Sequence, residues 1–302
     1  MHNLKANIDK IYQIVAEVLE GSINEFNNFR PYPNRPKLPD LQIVAIAITA
    51  EALSIDSENL LYSKLKTDYP EYYKQLPDRS NFNRRKRALR DYIDKVTSAI
   101  STDLLKDNIT NVIDSMPVPV CRYVRAKKLR ILKDQPDLKP NKGYNHIDKT
   151  SFFGFKFHLL ISTTGVIRDY ILAPASQHDV TKLISLSASL SDKSEILGDK
   201  GYLSKSIQYD LFQDRQIRVC TPLRGNMIGP TEWTGKRNKQ RKRIETLFSQ
   251  LCDQMMFKRN YAKSVVGLLA RISAKIAATT CLQLINFTQG KSLNKLKHAL
   301  AA

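Results

Sequence analysis

The hydrophobic pattern of this chain changes period once, near Asn111, and that change limits the folds open to it. Before Asn111 apolar residues recur at helical spacing. Ile8, Ile11, Val15 and Val18 form one stripe, and Gly21 stands where that helix should stop. Pro31, Pro33, Pro36 and Pro39 then impose an extended connector, because proline fixes φ and lacks an N–H, and a second apolar helix is expected to start near Asp40. A shorter helix is expected near 57–65, and Ser80 is expected to open a long one. That helix carries an apolar stripe of Phe82, Leu89, Tyr92, Ile93 and Val96, while Arg84, Arg85, Lys86, Arg87 and Arg90 crowd the rest.

Beyond Asn111 short β-branched or aromatic runs alternate with helical stretches. The spacing predicts strands over 111–118, 152–162, 166–173, 195–199 and 217–222, with helices over 180–190, 205–213 and 241–257. Thr164-Gly165 should join the second and third strands as a hairpin. Segment 122–142, very basic with few acids, reads as a long loop. The expected class is α/β: a mixed sheet flanked by helices, preceded by an all-helical region. The corresponding division is 1–108, 109–290 and a tail at 291–302.

The chain has 48 Lys and Arg against 29 Asp and Glu, a formal charge of +19, so its field favours a polyanion. Nucleic acid and acidic membrane both qualify by charge alone. The apolar stretch 265–287 holds Arg271 and Lys275 near its middle, where a bilayer would tax them, and is read as a packed helix. Cys121, Cys220, Cys252 and Cys281 show no paired spacing, which indicates neither a zinc knuckle nor a disulfide framework. The opening MHNLKANIDK lacks the apolar core of a secretion signal. The expectation is a cytoplasmic protein without a membrane partner.

Two acids close apolar strand runs. Asp114 follows Asn111-Val112-Ile113, and Asp199 follows Ile196-Leu197-Gly198 and precedes Lys200-Gly201-Tyr202. A charge inside a buried strand is costly unless a cation compensates it. From pattern alone Asp114 reads equally as a turn former or as a ligand. Gly201 would let the chain turn sharply past the second carboxylate. Glu245 lies beside the stripe Ile244, Leu247, Phe248, Leu251 and Met255, which points it toward a sheet edge; the plainer reading is an i,i+4 ion pair with Arg241 on a solvated face.

These three acids, the phrase Gly198-Asp199-Lys200-Gly201-Tyr202, the hairpin entry Phe153-Gly154-Phe155-Lys156-Phe157-His158 and the pair His178-Asp179 resemble bacterial insertion-sequence transposases of the DDE class, in particular the insertion sequence nine-eighty-two group. The resemblance extends to the helical front region that ends in Arg79-Ser80-Asn81-Phe82-Asn83-Arg84-Arg85. It implies an RNase H-like catalytic domain with the first Asp on the first strand, the second on the fourth and the Glu on a later helix. It also implies two-metal phosphoryl transfer: Asp114, Asp199 and Glu245 hold Mg²⁺, for which Mn²⁺ would substitute, the transposon end is cut, and its 3′-OH joins target DNA. The implied partners are double-stranded DNA, as transposon ends and target, and further copies of the chain assembled on it, in the nucleoid. A family signature places an Arg at the position of Arg241, a Tyr before it and a Lys seven residues past the Glu; here the last two positions hold Asn238 and Cys252.

Arg84, Arg85, Arg87, Lys156, Lys200, Arg237, Arg241 and Lys242 are the candidate phosphate contacts, with His158 a further stabiliser. The run 236–243 reads as a loop ahead of the Glu helix, either solubilising or neutralising phosphates. Trp233 would stack on a displaced base or anchor that loop, and His178-Asp179 would cap the helix at Val180 or act directly. The same residues leave open a nuclease that cuts without joining and a non-catalytic DNA-binding regulator.

Overall fold

The structure is a computed structural model that describes residues 3–105, 109–145, 148–223, 225, 227 and 233–300. The expected domain boundary at 108 falls outside them. Contacts divide the chain into two compact units, residues 1–100 with 251–302, and residues 101–250.

The first unit is helical. α1 (Leu4–Leu19) buries Ile8, Ile11 and Val15, and its cap is Asn3, whose side chain accepts from the Ala6 N–H. α2 (Asp40–Ala52) is buried along nearly its whole length, so it forms a core helix rather than an amphipathic one. α3 (Glu58–Asp68) is capped by Ser57, and the short α4 (Pro70–Lys74) follows. The long basic helix expected from Ser80 is two helices, α5 (Arg79–Ala88) and α6 (Arg90–Leu104), and the cap of α5 is Asp78, whose side chain accepts from the Asn81 N–H at 2.9 Å. Phe82, Leu89, Ile93 and Val96 are buried as their spacing requires.

The last helix, α10 (Val265–Thr288), packs on α2. Its length and composition would let it cross a membrane, yet 83% of its most apolar window is buried within the protein. Arg271 and Lys275 are tolerated there because Glu51 of α2 meets both: Lys275 Nζ donates to it, and Arg271 Nε lies 3.6 Å away. A second buried pair joins Arg85 of α5 to Asp40 at 2.6 Å, with side chains 6% and 0% exposed. Asp40 also accepts from Tyr32 Oη at 2.8 Å and from the Phe29 N–H, and Arg85 Nη1 donates to the Leu38 carbonyl at 2.7 Å. The proline-rich connector is thereby tied to α2 and α5.

The second unit is a mixed sheet. β1 (Thr110–Cys121) lies between β3 (Thr150–Ser162), antiparallel to it, and β5 (Glu195–Leu197), parallel to it; β6 (Arg218–Cys220) runs parallel to β5. The far edge of β3 is shared, with β2 (Asn141–Asn145) along its first half and β4 (Ile167–Pro174) along its second. Antiparallel strands joined to a parallel pair through β1 make the RNase H-like arrangement. The β3–β4 hairpin turns at Thr164-Gly165 as expected, with Gly165 at φ 93° and its N–H donating to the Ser162 carbonyl. Gly154 is required by space: a Cβ there would lie 2.1 Å from the Val118 carbonyl oxygen across the β1 pairing.

Three local expectations change. Segment 122–142 is not wholly a loop, since a 3₁₀ turn spans Tyr123–Lys128 and β2 begins at Asn141. The helix expected over 180–190 is a 3₁₀ turn (Asp179–Lys182) followed by the short α7 (Leu183–Ser187). The basic run 236–243 is helical, because α9 (Gly235–Asp253) starts before it. α8 (Lys205–Arg215) lies where expected, and with α7 it covers one sheet face through Leu183, Leu186 and Leu211, packed with Ile113, Leu160, Ile196 and Tyr202.

Glu58 at the start of α3 gives an acid-stability prediction. Burial opposes its charge, but Lys86 of α5 more than offsets this by attraction and a hydrogen bond, holding the carboxyl at about 2 against an ordinary 4.5. A lowered folded pKa stabilises above the unfolded value and loses that contribution as pH falls through 4.5 toward 2. At about 1.4 kcal/mol per tenfold in proton affinity the pair contributes on the order of 3 kcal/mol. Denaturant unfolding at about pH 6 and about pH 3 should show this loss in the native chain. Glu58→Gln should shrink the difference by about 2 kcal/mol, the part of this group's contribution already lost at pH 3, with the other paired acids supplying the rest.

Candidate active site

The strand pattern alternates, so cross-strand partners share a face. Asp114 of β1 pairs with Leu159 of β3, whereas Lys156 and His158 of β3 pair with Pro117 and Ser115, one residue out of phase. Asp114 therefore projects from one face of the sheet, and Lys156 and His158 from the other. Asp199 follows β5 by two residues and sits in the turn before a 3₁₀ segment, where its Oδ1 accepts from the Gly201 N–H at 2.8 Å.

α9 supplies the third acid. Arg241 Nη1 donates to Asp114 Oδ2 at 3.1 Å, and its Nη2 donates to Glu245 Oε1 at 2.5 Å. One guanidinium thus bridges the first and third acids, while Glu245 keeps a side chain 50% exposed and is only half withdrawn from water. The i,i+4 pair of the plainer reading does form, but its arginine is simultaneously engaged with the strand acid. Burial chiefly, and then the charge of Asp199, pushes the Asp114 carboxyl up to about 7, despite the Ser115 N–H and Arg241 acting in the opposite sense.

A fourth acid adjoins the group. Asp179 lies at the start of the 3₁₀ turn after β4, and a Cβ at Gly201 would sit 2.9 Å from Asp199 Oδ1 and 3.3 Å from Asp179 Oδ2. Gly201 is absent from the positive-φ residues, so its value here is the room it leaves between two carboxylates rather than a special turn. Neither residue of His178-Asp179 caps the following turn through a side chain. Instead Asp179 holds Lys156 Nζ at 2.9 Å, and Lys156 also donates to the Gln177 carbonyl. His158 is fully buried, which lowers its pKa to about 4 and keeps the imidazole neutral; its Nδ1 lies 3.4 Å from the Tyr202 hydroxyl.

A cleft of about 530 Å³ opens beside Asp199 and Arg241, lined also by Lys200, Trp233 and Asn238. Lys200 and Lys242 are exposed, whereas Arg237 is paired with Glu195 at 2.5 Å. In the first unit Arg84 is exposed, Arg87 is half-buried and Arg85 is spent on Asp40. Asn238, at the position of the family tyrosine, lines the cleft, while Cys252 is half-buried.

As placed, no three His, Cys, Asp or Glu side chains among the described residues form a ready metal-binding group. Like-charged carboxylates repel, and Arg241 stands between Asp114 and Glu245. The donors nevertheless fit a divalent cation. They are hard carboxylate oxygens, one is held partly protonated for want of compensating charge, and a positive group already occupies the gap between two of them.

Residues 106–265 match the model of the transposase DDE domain, and the chain belongs to that family. No curated protein and no solved structure matches it.

The geometry at Gly201 yields a test. Gly201→Ala would push two flexible carboxylates apart rather than collide with backbone, so stability should change little. If Asp199 takes part in DNA strand cutting, as the resemblance implies, its displacement should slow that cutting, by up to on the order of 10²-fold for a shift of about 1 Å. Melting temperature and cutting rate measured on the same preparation separate the two effects; a variant cutting at the native rate would contradict the placement.

Proposed function

We propose that the chain is a transposase of the insertion sequence nine-eighty-two group that cuts transposon ends and joins the resulting 3′-OH to target DNA. The observation that carries this reading is the meeting of Asp114 and Glu245 on one guanidinium, with the charge of Asp199 bearing on Asp114, although the three acids lie on different elements. Asp114, Asp199 and Glu245 would hold Mg²⁺, or Mn²⁺ in its place. Such ions, when bound, polarise a phosphodiester and stabilise the attacking and leaving oxygens.

The chain's own residues do the rest. Arg241 must release the carboxylates for a cation to enter, and its freed guanidinium is then placed to engage a phosphate with two parallel hydrogen bonds. Lys200 and Lys242 add exposed charge. Trp233 in the adjoining cleft offers an indole face on which a base displaced from the duplex can stack. In this reading 109–290 carries the chemistry, 1–108 recognises the ends, and 291–302 is a tail. Two copies or more assemble on double-stranded DNA in the cytoplasm, at the nucleoid.

The test is cleavage and joining on a duplex carrying the sequence that flanks the gene, with Mg²⁺ or Mn²⁺. Asp114→Ala, Asp199→Ala and Glu245→Ala should each bind DNA and lose at least about 100-fold in cutting. Any of them cutting at the native rate overturns its assignment, and hydrolysis without joined product makes the chain a nuclease of the same fold.

A further inference from the structure

The Arg-rich helix α5 and the proline-rich connector frame a cleft of about 940 Å³ in the first unit. Arg30, Arg35 and Lys37 enter it from the connector and Arg84 from α5, and all four are exposed. None of the four is ion-paired with a carboxylate among the described residues. Arg84 donates to the Asn81 side-chain oxygen, Arg30 lies 5.0 Å over the Tyr32 ring, and Arg35 lies 4.8 Å over the Phe26 ring. Asp78, the acid that lines the cleft, is engaged as the cap of α5, and the buried Asp40 is paired with Arg85.

Exposed cations normally scatter to reduce repulsion, and holding four around one cleft requires a rigid support. The connector supplies it. Its prolines fix φ, and the buried Asp40–Arg85 pair ties Tyr32, Leu38 and the Phe29 N–H in place. The cations are therefore presented before any ligand arrives, which lowers the ordering cost of binding. Four of them spread over a cleft of this size exceed what one phosphate group takes, but suit successive phosphates of a strand.

We propose that this cleft docks the sugar-phosphate backbone of duplex DNA through Arg30, Arg35, Lys37 and Arg84, with Arg85 a positioning residue that never touches the DNA. The inference rests on the reading of the chain as a DNA-processing enzyme, and it assigns contacts within the helical region that the dense arginines of α5 alone misplace.

Backbone contacts are read from the salt dependence of binding, since each phosphate neutralised steepens the negative slope of log K against log salt by about 0.9. A labelled duplex of arbitrary sequence, titrated with the full chain by fluorescence anisotropy, gives the native slope. The combined Arg30→Ala, Arg35→Ala, Lys37→Ala and Arg84→Ala variant should lose roughly three to four from it. A variant carrying Arg30→Lys, Arg35→Lys and Arg84→Lys should keep the native slope, which excludes a merely structural loss. As a control for total charge, Lys66→Ala, Lys291→Ala, Lys295→Ala and Lys297→Ala remove the same charge from exposed positions elsewhere in the unit and should leave the slope unchanged. An unaltered slope in the first variant, a loss in the lysine variant, or an equal fall in the control overturns the proposal. Cutting by the native chain is scored separately: a native chain that cuts nothing while the slope still falls defeats the catalytic reading and leaves this one standing.

Discussion

A carboxylate taken out of water must be met by positive charge, and in this chain the cation comes from far along the sequence each time. Asp40 is met by Arg85, Glu51 by Lys275 and Arg271, and Asp114 by Arg241. Each pairing fixes one element against another, because leaving either partner alone in a low-dielectric interior costs several kcal/mol. The Glu51 group joins α2 to α10, which brings the end of the chain back to the unit in which it began. The Asp40 group fixes the connector. Both are buried within the first unit.

The pairing at Asp114 is of another kind. Its arginine is shared with a half-exposed glutamate, and burial, followed by the nearby charge of Asp199, keeps proton affinity high at Asp114. Compensation is incomplete, so the group has reason to accept a stronger cation. The same electrostatics that holds α2, α5 and α10 together thus leaves one position in the sheet unsatisfied, and that position lies within the residues that match the transposase DDE domain.

The sheet decides which residues can share in that position. Alternation along β3 sends Lys156 and His158 to the face away from Asp114, where Asp179 holds the lysine and burial keeps the histidine neutral. Gly201 then marks the edge at which Asp199 and Asp179 approach one another, and it is glycine because any side chain would separate them. Among the described residues, Arg241 of the α9 run reaches both a strand acid and a helix acid, because four residues of helix bring it back over Glu245 while its length spans to β1.

Much of this was legible in the residues. The change of period at Asn111 separated helical from sheet-forming sequence, the stripe of Phe82, Leu89, Ile93 and Val96 marked a buried face, and Thr164-Gly165 marked a hairpin, since each depends on local spacing or local backbone preference. Asp114 and Asp199 stood out for the same reason, as acids ending apolar runs. What local pattern could not carry was pairing at a distance. β2 is a polar, glycine-containing segment that becomes a strand only against β3. The basic run before Glu245 is helical where its charge suggested a loop, and Arg85 turns inward where its neighbours face water. By itself the sequence determined the elements and nominated the acids, because those follow from the order of side chains along a strand or helix. Only the tertiary structure decided which charges meet, because an ion pair between residues 114 and 241 or 51 and 275 depends on the packing of whole elements and leaves no trace in local spacing.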